Sequence, residues 1–356
     1  MRHQAFAPGR VELLGNHTDY NEGVVLGAAI DRGLTVSGEA REDGVIAIES
    51  AGMGAIEVPL AGLQPQTENR WANYPLGVAR QLSSMGLLTV GFSAQVQADV
   101  PRGCGLSSSA AFEVATALFL LKLANRELPP FEIAKLCQKA EHDFVGVKSG
   151  LLDQVCSIFG RAGHAVWFDA RSGEVRTVPF PAGLKLVIAE SGRRRELASG
   201  LYNTRREETR AAAAGLGVSA LRDVSSAMLE RSNLPPLLRR RAAHIVGEIE
   251  RVGRAVKFLA DGDGAAFGQL MNESHESSRT NFENSTPELD ALVAIARTLP
   301  GVLGARLTGG GFGGATVTLT EEAAATSVAE ELARQYLVAT GLEPRVFVCE
   351  IAAGAE

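Results

Sequence analysis

The chemistry this sequence can carry is concentrated in a glycine- and serine-rich loop, two acids and an arginine. The loop is PRGCGLSSSAA at residues 101–111, and it runs directly into an apolar segment, residues 112–124. Gly103 and Gly105 have no Cβ, so the backbone can turn sharply and approach a ligand closely. Ser107, Ser108 and Ser109 add hydroxyls and N–H groups, with Cys104 and Leu106 between them and the turn. A helix starting here presents unpaired N–H donors and the positive end of its dipole, which stabilise an anion without a lysine. A serine N-cap on a buried helix has the same local pattern. Two commoner phosphate loops are excluded: no Gly-Lys pair supplies a Walker lysine, and residues 143–146 read DFVG, with no His-Arg-Asp loop elsewhere.

The acids are Glu141, in AEHDF at 140–144, and Asp153, in GLLDQVC at 150–156. If both point inward, one can hold a divalent metal while the other faces an acceptor hydroxyl. For Asp153 a helix-start acid favoured by the dipole is the competing reading, and His142 reads as a surface or packing residue. The arginine, Arg10, opens the stretch GRVELLGNHTDYNEG at 9–23. There Asn16, His17, Asp19, Tyr20 and Asn21 crowd between the apolar runs 11–14 and 24–30. Singly these are turn formers; together, beside Arg10, they make a sugar-sized hydrogen-bonding site. A last glycine cluster spans residues 304–318, where Gly309, Gly311 and Gly314 satisfy G-x-G-x-x-G. A strand-like run follows them where the dinucleotide fingerprint needs a helix, so a loop closing over phosphates from a second domain fits better.

These groups need elements to position them. Alternation and spacing predict a strand and turn over 5–15, a strand meander over 34–58, a helix over 71–85 and a strand over 90–100 that delivers the chain to the loop. A helix is predicted over 130–146, strands near 165–168 and 185–189, and a charged helical region over 194–260. Gly173, Pro179 and Pro181 interrupt the pattern, placing a domain boundary near 175 and giving domains 1–175 and 176–356. Arginine-rich pieces at 193–195 and 239–241, and the polar run 271–277 with His275, read as solvated helix faces.

A length of 356 residues suits two domains, and 46% apolar with 21% charged residues is an ordinary globular balance. A net charge of -6 argues against a surface for nucleic acid. Cys104, Cys137, Cys156 and Cys349 are scattered, which predicts reduced thiols of a cytoplasmic protein and no zinc site. The amino terminus lacks a signal-peptide core, and the most apolar run, 110–124, carries Glu113 and Lys122 and falls short of the roughly 20 residues a bilayer needs. A cytoplasmic monomer without membrane or nucleic-acid partners is the expectation.

Three separated motifs, 9–21, 101–111 and 304–314, together with WANY at 71–74, AEH at 140–142, LDQ at 152–154, YNTRR at 202–206 and SH at 274–275, resemble the galactokinase family of the GHMP small-molecule kinases. The resemblance runs over most of the chain. It implies an α+β fold of two domains, the first like domain 2 of ribosomal protein S5 and the second ferredoxin-like, with the active site between them. It further implies that residues 103–109 hold the phosphates of ATP and that Ser109 and Glu141 bind Mg²⁺. Asp153 would face the anomeric hydroxyl of galactose as base, and Arg10 would stabilise the transferring phosphoryl group. Asn16, His17, Thr18, Asp19 and Tyr202 would hold the sugar. Phosphoryl transfer needs positioning and charge compensation, which one arginine, one metal and a dipolar loop supply. An aspartate paired with an arginine is a poor proton acceptor, so it orients the hydroxyl and takes the proton late.

The chain departs from the family at position 16, where Asn replaces a Glu that bonds the sugar's 6-hydroxyl. A glutamate about 4 Å from a 6-carboxylate costs roughly 4 kcal/mol at an effective dielectric of about 20, or about three decades of affinity. Asn16 removes that barrier, so a uronic acid kinase is the alternative to a galactose kinase. A non-catalytic sugar sensor is the minor one, and the intact loop, Arg10, Glu141 and Asp153 speak against it. Gly27 stands where the family has Pro, and Ser149 where it often has Cys.

Overall fold

A computed structural model describes residues 1–101, 103–192 and 198–356; Arg102 and the arginines at 193–195 lie outside the described residues. The first sheet has seven strands. β1 (His3–Leu14) and β2 (Val24–Arg41) form its spine, followed by β3 (Val45–Ser50), β4 (Gly54–Pro59), then helix α1 (Asn73–Ser84) and β5 (Gly91–Ala98). β2 is long enough to serve two neighbours, pairing with β5 through residues 34–41 and with a later strand through residues 24–27. β1 pairs antiparallel along it, with register breaks between Pro8 and Arg10 and between Glu12 and Leu14. Bulges commonly re-aim side chains beside functional sites, and these two bracket Arg10 and Glu12.

Helix α2 (Ser108–Leu123) follows the loop. Its residues 110–115 are buried on every side, because it packs on β1 and β2 with one face and on α1, α3 (Pro130–Ala140) and α4 (Leu152–Phe159) with the others. A helix apolar all round belongs in such an enclosure. β6 (His164–Asp169) and β7 (Val175–Pro179) complete the first sheet, so it ends at Pro179 and the next sheet begins at Leu184. The expected boundary at 175 falls on the first residue of β7.

The second sheet is antiparallel in the order β11-β8-β10-β9: β8 (Leu184–Glu190), β9 (Val302–Leu307), β10 (Ala315–Glu321) and β11 (Arg345–Cys349). This is the strand order of a ferredoxin-like domain, as expected. Between β8 and β9 run α5 (Ala198–Gly215), α6 (Ser226–Glu230), α7 (Pro236–Ala260), α8 (Gly264–Ser277) and α9 (Pro287–Ala296); α10 (Ala325–Thr340) precedes β11. The last residues return to the first sheet, where Phe6 and Glu356 exchange backbone hydrogen bonds of 2.9 and 3.0 Å.

Two readings of solvated faces are corrected. Arg241 is 2% exposed, its guanidinium bonded to Glu208, Glu283 and the carbonyl of Asn281. Ser274 and His275 are buried, with His275 Nε2 3.2 Å from Asp290. Both helices turn these residues inward, where neighbouring elements supply partners to Arg241 and His275, which a local pattern does not report. The glycine cluster is, as expected, a loop followed by a strand, joining antiparallel β9 and β10. None of the four cysteines is in a disulfide among the described residues, and all are buried. Among the described residues no helix is long and apolar enough to cross a membrane.

Candidate active site

A cleft of about 360 Å³ lies between the domains, and Arg10, Asn16, His17, Asp19, Gly103, Gly105, Ser107, Ser108, Ser109, Glu141, Asp153 and Tyr202 all line it. Two clusters make up its walls.

At one end the loop turns into α2. Ser107 precedes the helix in a left-handed conformation, φ 56°, and its hydroxyl does not cap α2. It donates instead to Oδ2 of Asp153. The buried N-cap reading therefore fails: no side chain caps the start of α2, where Ser108 and Ser109 line the cleft. A non-glycine residue held at positive φ is strained, and such strain gathers at functional sites. Asp153 sits in the first turn of α4, where the helix dipole favours an acid, so both readings of it coincide. Its Oδ1 accepts from Nε of Arg10 at 2.8 Å and from Nη2, while Arg10 Nη1 donates to the carbonyl of Gly105 at 2.6 Å. Arginine, acid and loop are thereby one hydrogen-bonded unit. Cys104 and Leu106 turn into the core, Cys104 Sγ meeting the carbonyl of Pro101.

Glu141 opens a π-helical turn, Glu141–Val145, that ends α3. Such turns recur at functional sites. Burial pushes its carboxyl up to about 7, against the hydrogen bond from Ser149 Oγ. Among the described residues no cluster of three or more metal-ligating side chains occurs. A magnesium ion is ordinarily held by one or two protein oxygens with phosphate oxygens and waters completing its shell. Glu141 with Ser109 across the cleft fits that donor set, and a divalent cation there would offset the burial of the acid.

At the other end the turn after β1 is held from a distance. Glu248 of α7, fully buried, accepts the N–H groups of Gly15 and Asn16 at 2.9 and 2.8 Å. Burial raises its carboxyl, but Arg251, His244, Arg306 and the Asn16 N–H outweigh this and hold it below the usual range. Asn16 itself is saturated as a donor: Nδ2 bonds Glu12 Oε1 at 2.7 Å and the carbonyl of Gly309 at 2.9 Å, while its Oδ1 accepts from Asn284 at 2.8 Å. His17, also at positive φ, donates from Nε2 to the carbonyl of Gly310 at 3.0 Å and accepts from the Tyr20 hydroxyl at 2.8 Å. Its ring lies 4.9 Å from that of Tyr202 and 4.6 Å from that of Phe282. Asp19 is lifted by burial to about 6, opposed by the N–H of Tyr20. Thr18 does not line the cleft; its hydroxyl bonds the carbonyls of Gly15 and Val24, closing the turn.

The glycine loop after β9 thus packs on the Asn16 and His17 end through the carbonyls of Gly309 and Gly310, although a position over the phosphates was expected. The departures at 27 and 149 have local reasons. A Cβ on Gly27 would lie 2.6 Å from Cys156 Sγ, and Ser149 bonds Glu141. Sequence reasoning missed Glu12, His244, Glu248, Asn284 and Arg306. Only Glu12 carried a signal, an acid alone among apolar residues of a strand.

A two-domain α+β fold with a phosphate loop at a helix start, an acid–arginine pair and a second acid across the cleft defines a GHMP kinase. Family models agree: GHMP kinases N terminal domain over residues 73–161, GHMP kinases C terminal over 255–338, and galactokinase galactose-binding signature over 2–39. The chain is 41% identical to a galactokinase of Roseiflexus over 98% of its length and 91% of that protein, and 44% identical to human galactokinase over 93% and 86%. A crystal structure of Lactococcus lactis galactokinase complexed with galactose superposes with a TM-score of 0.95 at 32% identity, covering 100% of this chain and 95% of that one. Methanococcus jannaschii mevalonate kinase, at 21% identity and a TM-score of 0.71, shares the fold. The chain belongs to the galactokinase family.

Proposed function

We propose that this protein phosphorylates the anomeric hydroxyl of galactose with ATP, yielding galactose 1-phosphate and ADP. The observation that carries the reading is the Arg10–Asp153–Ser107 unit, which joins the phosphate loop to the sugar-sized pocket in one cleft. Residues 103–109 and the N-terminus of α2 cradle the phosphates through backbone N–H groups. Asp153 orients the 1-hydroxyl; as the new O–P bond forms and the bond to the ADP oxygen breaks, the hydroxyl proton passes to its carboxylate. Arg10 offsets charge on the equatorial oxygens of the transferring group. Ser109 and Glu141 would hold magnesium, which would supply further charge compensation at the phosphates. His17, Asp19 and Tyr202 face the sugar, and Asn16 and Thr18 shape the turn that presents them.

Asp153→Ala tests this directly. Calorimetry with galactose should show binding retained, while turnover with ATP and Mg²⁺ is lost; unchanged turnover would remove Asp153 from the mechanism.

A further inference from the structure

Asn16 has no N–H left for a sugar, since Glu12 and Gly309 take both. Glu12 is in the opposite state. Its Oε1 accepts from Asn16 at 2.7 Å and from Arg306 at 3.1 and 3.2 Å, whereas its Oε2 has no hydrogen-bond partner among the described residues. Glu12 lines the same cleft as Asn16, His17, Asp19 and Tyr202. The carboxylate is also fixed in place, because Arg306 is fully buried and further anchored by the carbonyls of Glu12 and Leu13. Glu12 Oε2 opens on the cleft, where a ligand hydroxyl can donate to it.

Register supplies the position. Arg10 pairs with Ala29 and Glu12 with Gly27 in unbroken sequence, so both side chains leave the same face of β1, about 7 Å apart along the strand. That spacing is on the scale of a hexopyranose, with its anomeric end at Arg10 and Asp153 and its far side at Glu12.

We propose that Glu12 is a specificity-determining residue whose free carboxylate oxygen accepts a hydrogen bond from a galactose hydroxyl remote from the anomeric carbon. The inference rests on the galactose 1-kinase reading and deepens it. Burial raises the Glu12 carboxyl on balance, against the opposing pull of Arg306, Arg10 and the Asn16 amide. The carboxyl group that position 16 lacks stands one hydrogen bond away. A uronate would bring a second carboxylate toward it, so the opening for uronic acids that position 16 suggested is closed.

The test is kcat/KM for wild type and Glu12→Gln with galactose and its 2-, 3-, 4- and 6-deoxy analogues, at saturating ATP and Mg²⁺. Hydrogen bonds to charged groups set the expected size: Glu12→Gln should lower kcat/KM for galactose about 10- to 100-fold, mainly through KM. The penalty for removing one hydroxyl, at C3, C4 or C6, should shrink by the same factor, with the other penalties retained. If Glu12→Gln does not fold, the exchange Glu12→Asn with Asn16→Glu keeps one carboxylate and one amide in the pair, and the penalty at the same hydroxyl should return. Wild-type penalties at every hydroxyl in Glu12→Gln overturn the inference alone. Failure of the wild-type protein to phosphorylate galactose overturns the functional reading and this inference with it.

Discussion

The two ends of the cleft are built differently. At the proposed phosphate end, the site is built from one loop and from Asp153, which Ser107 of that loop bonds, and the loop leads directly into α2. At the sugar end, the turn at 15–18 is held by Glu248, His244, Asn284 and the carbonyls of Gly309 and Gly310, all more than two hundred residues away in sequence. A phosphate site made of backbone and dipole tolerates variation in side chains around it, whereas a sugar site made of a paired amide and carboxylate network changes whenever one member changes. The departure at position 16 falls in the second kind of site.

Breaking the phosphate end should have the largest effect. Arg10→Ala removes both the charge facing the transferring group and the clamp on Asp153, and kcat should fall at least about 10³-fold, as for other arginines that stabilise phosphoryl transfer. Galactose binding measured by calorimetry should change far less. Next is Glu248→Gln, which strips a buried charge from Arg251 and weakens acceptance from Gly15 and Asn16; about 3–5 kcal/mol of stability should be lost. The melting temperature should drop, with galactose KM rising and ATP KM holding. Because the folded Glu248 carboxyl lies below its unfolded value near 4.3, its contribution is present above that pH and fades as pH falls further. Acid destabilisation should therefore be shallower in the Gln variant.

A milder probe is Gly150→Ala. Its Cβ would sit 1.5 Å from Oδ2 of Asp19, so the Asp19 side chain must move, costing about 1–3 kcal/mol. Galactose KM should rise, and an unchanged KM would show that Asp19 does not touch the sugar. The smallest effect concerns pH. Glu141 is deprotonated only above about 7, so the Mg²⁺ concentration for half-maximal rate should fall between pH 6 and 8. Ser149→Ala removes a bond that favours the charged form, so the acid limb of that profile should move upward.

Legibility in the sequence follows the same division. Glycines, serines and an acid at a helix start have local physical meanings, so the loop, Asp153 and Glu141 could be singled out without neighbours, while their roles came from the family resemblance. The polar residues at 16–19 marked a sugar site, but what each one does depends on partners from the second domain. Thr18 closes its own turn, and Asn16 serves Glu12. Arg241 and His275 were misread for the same reason, since a charged residue on a helix face is exposed or buried according to what packs there. Individual strands and helices followed periodicity, the two-domain α+β architecture followed from the family resemblance, and the stitching of the carboxyl terminus to β1 had no local signal.

The central claim is tested most directly by steady-state turnover with ATP and Mg²⁺ on galactose, galacturonate, glucuronate, N-acetylgalactosamine, arabinose and glucose. The account predicts that galactose has the highest kcat/KM and that both uronates are poor substrates. A uronate preferred over galactose would contradict it.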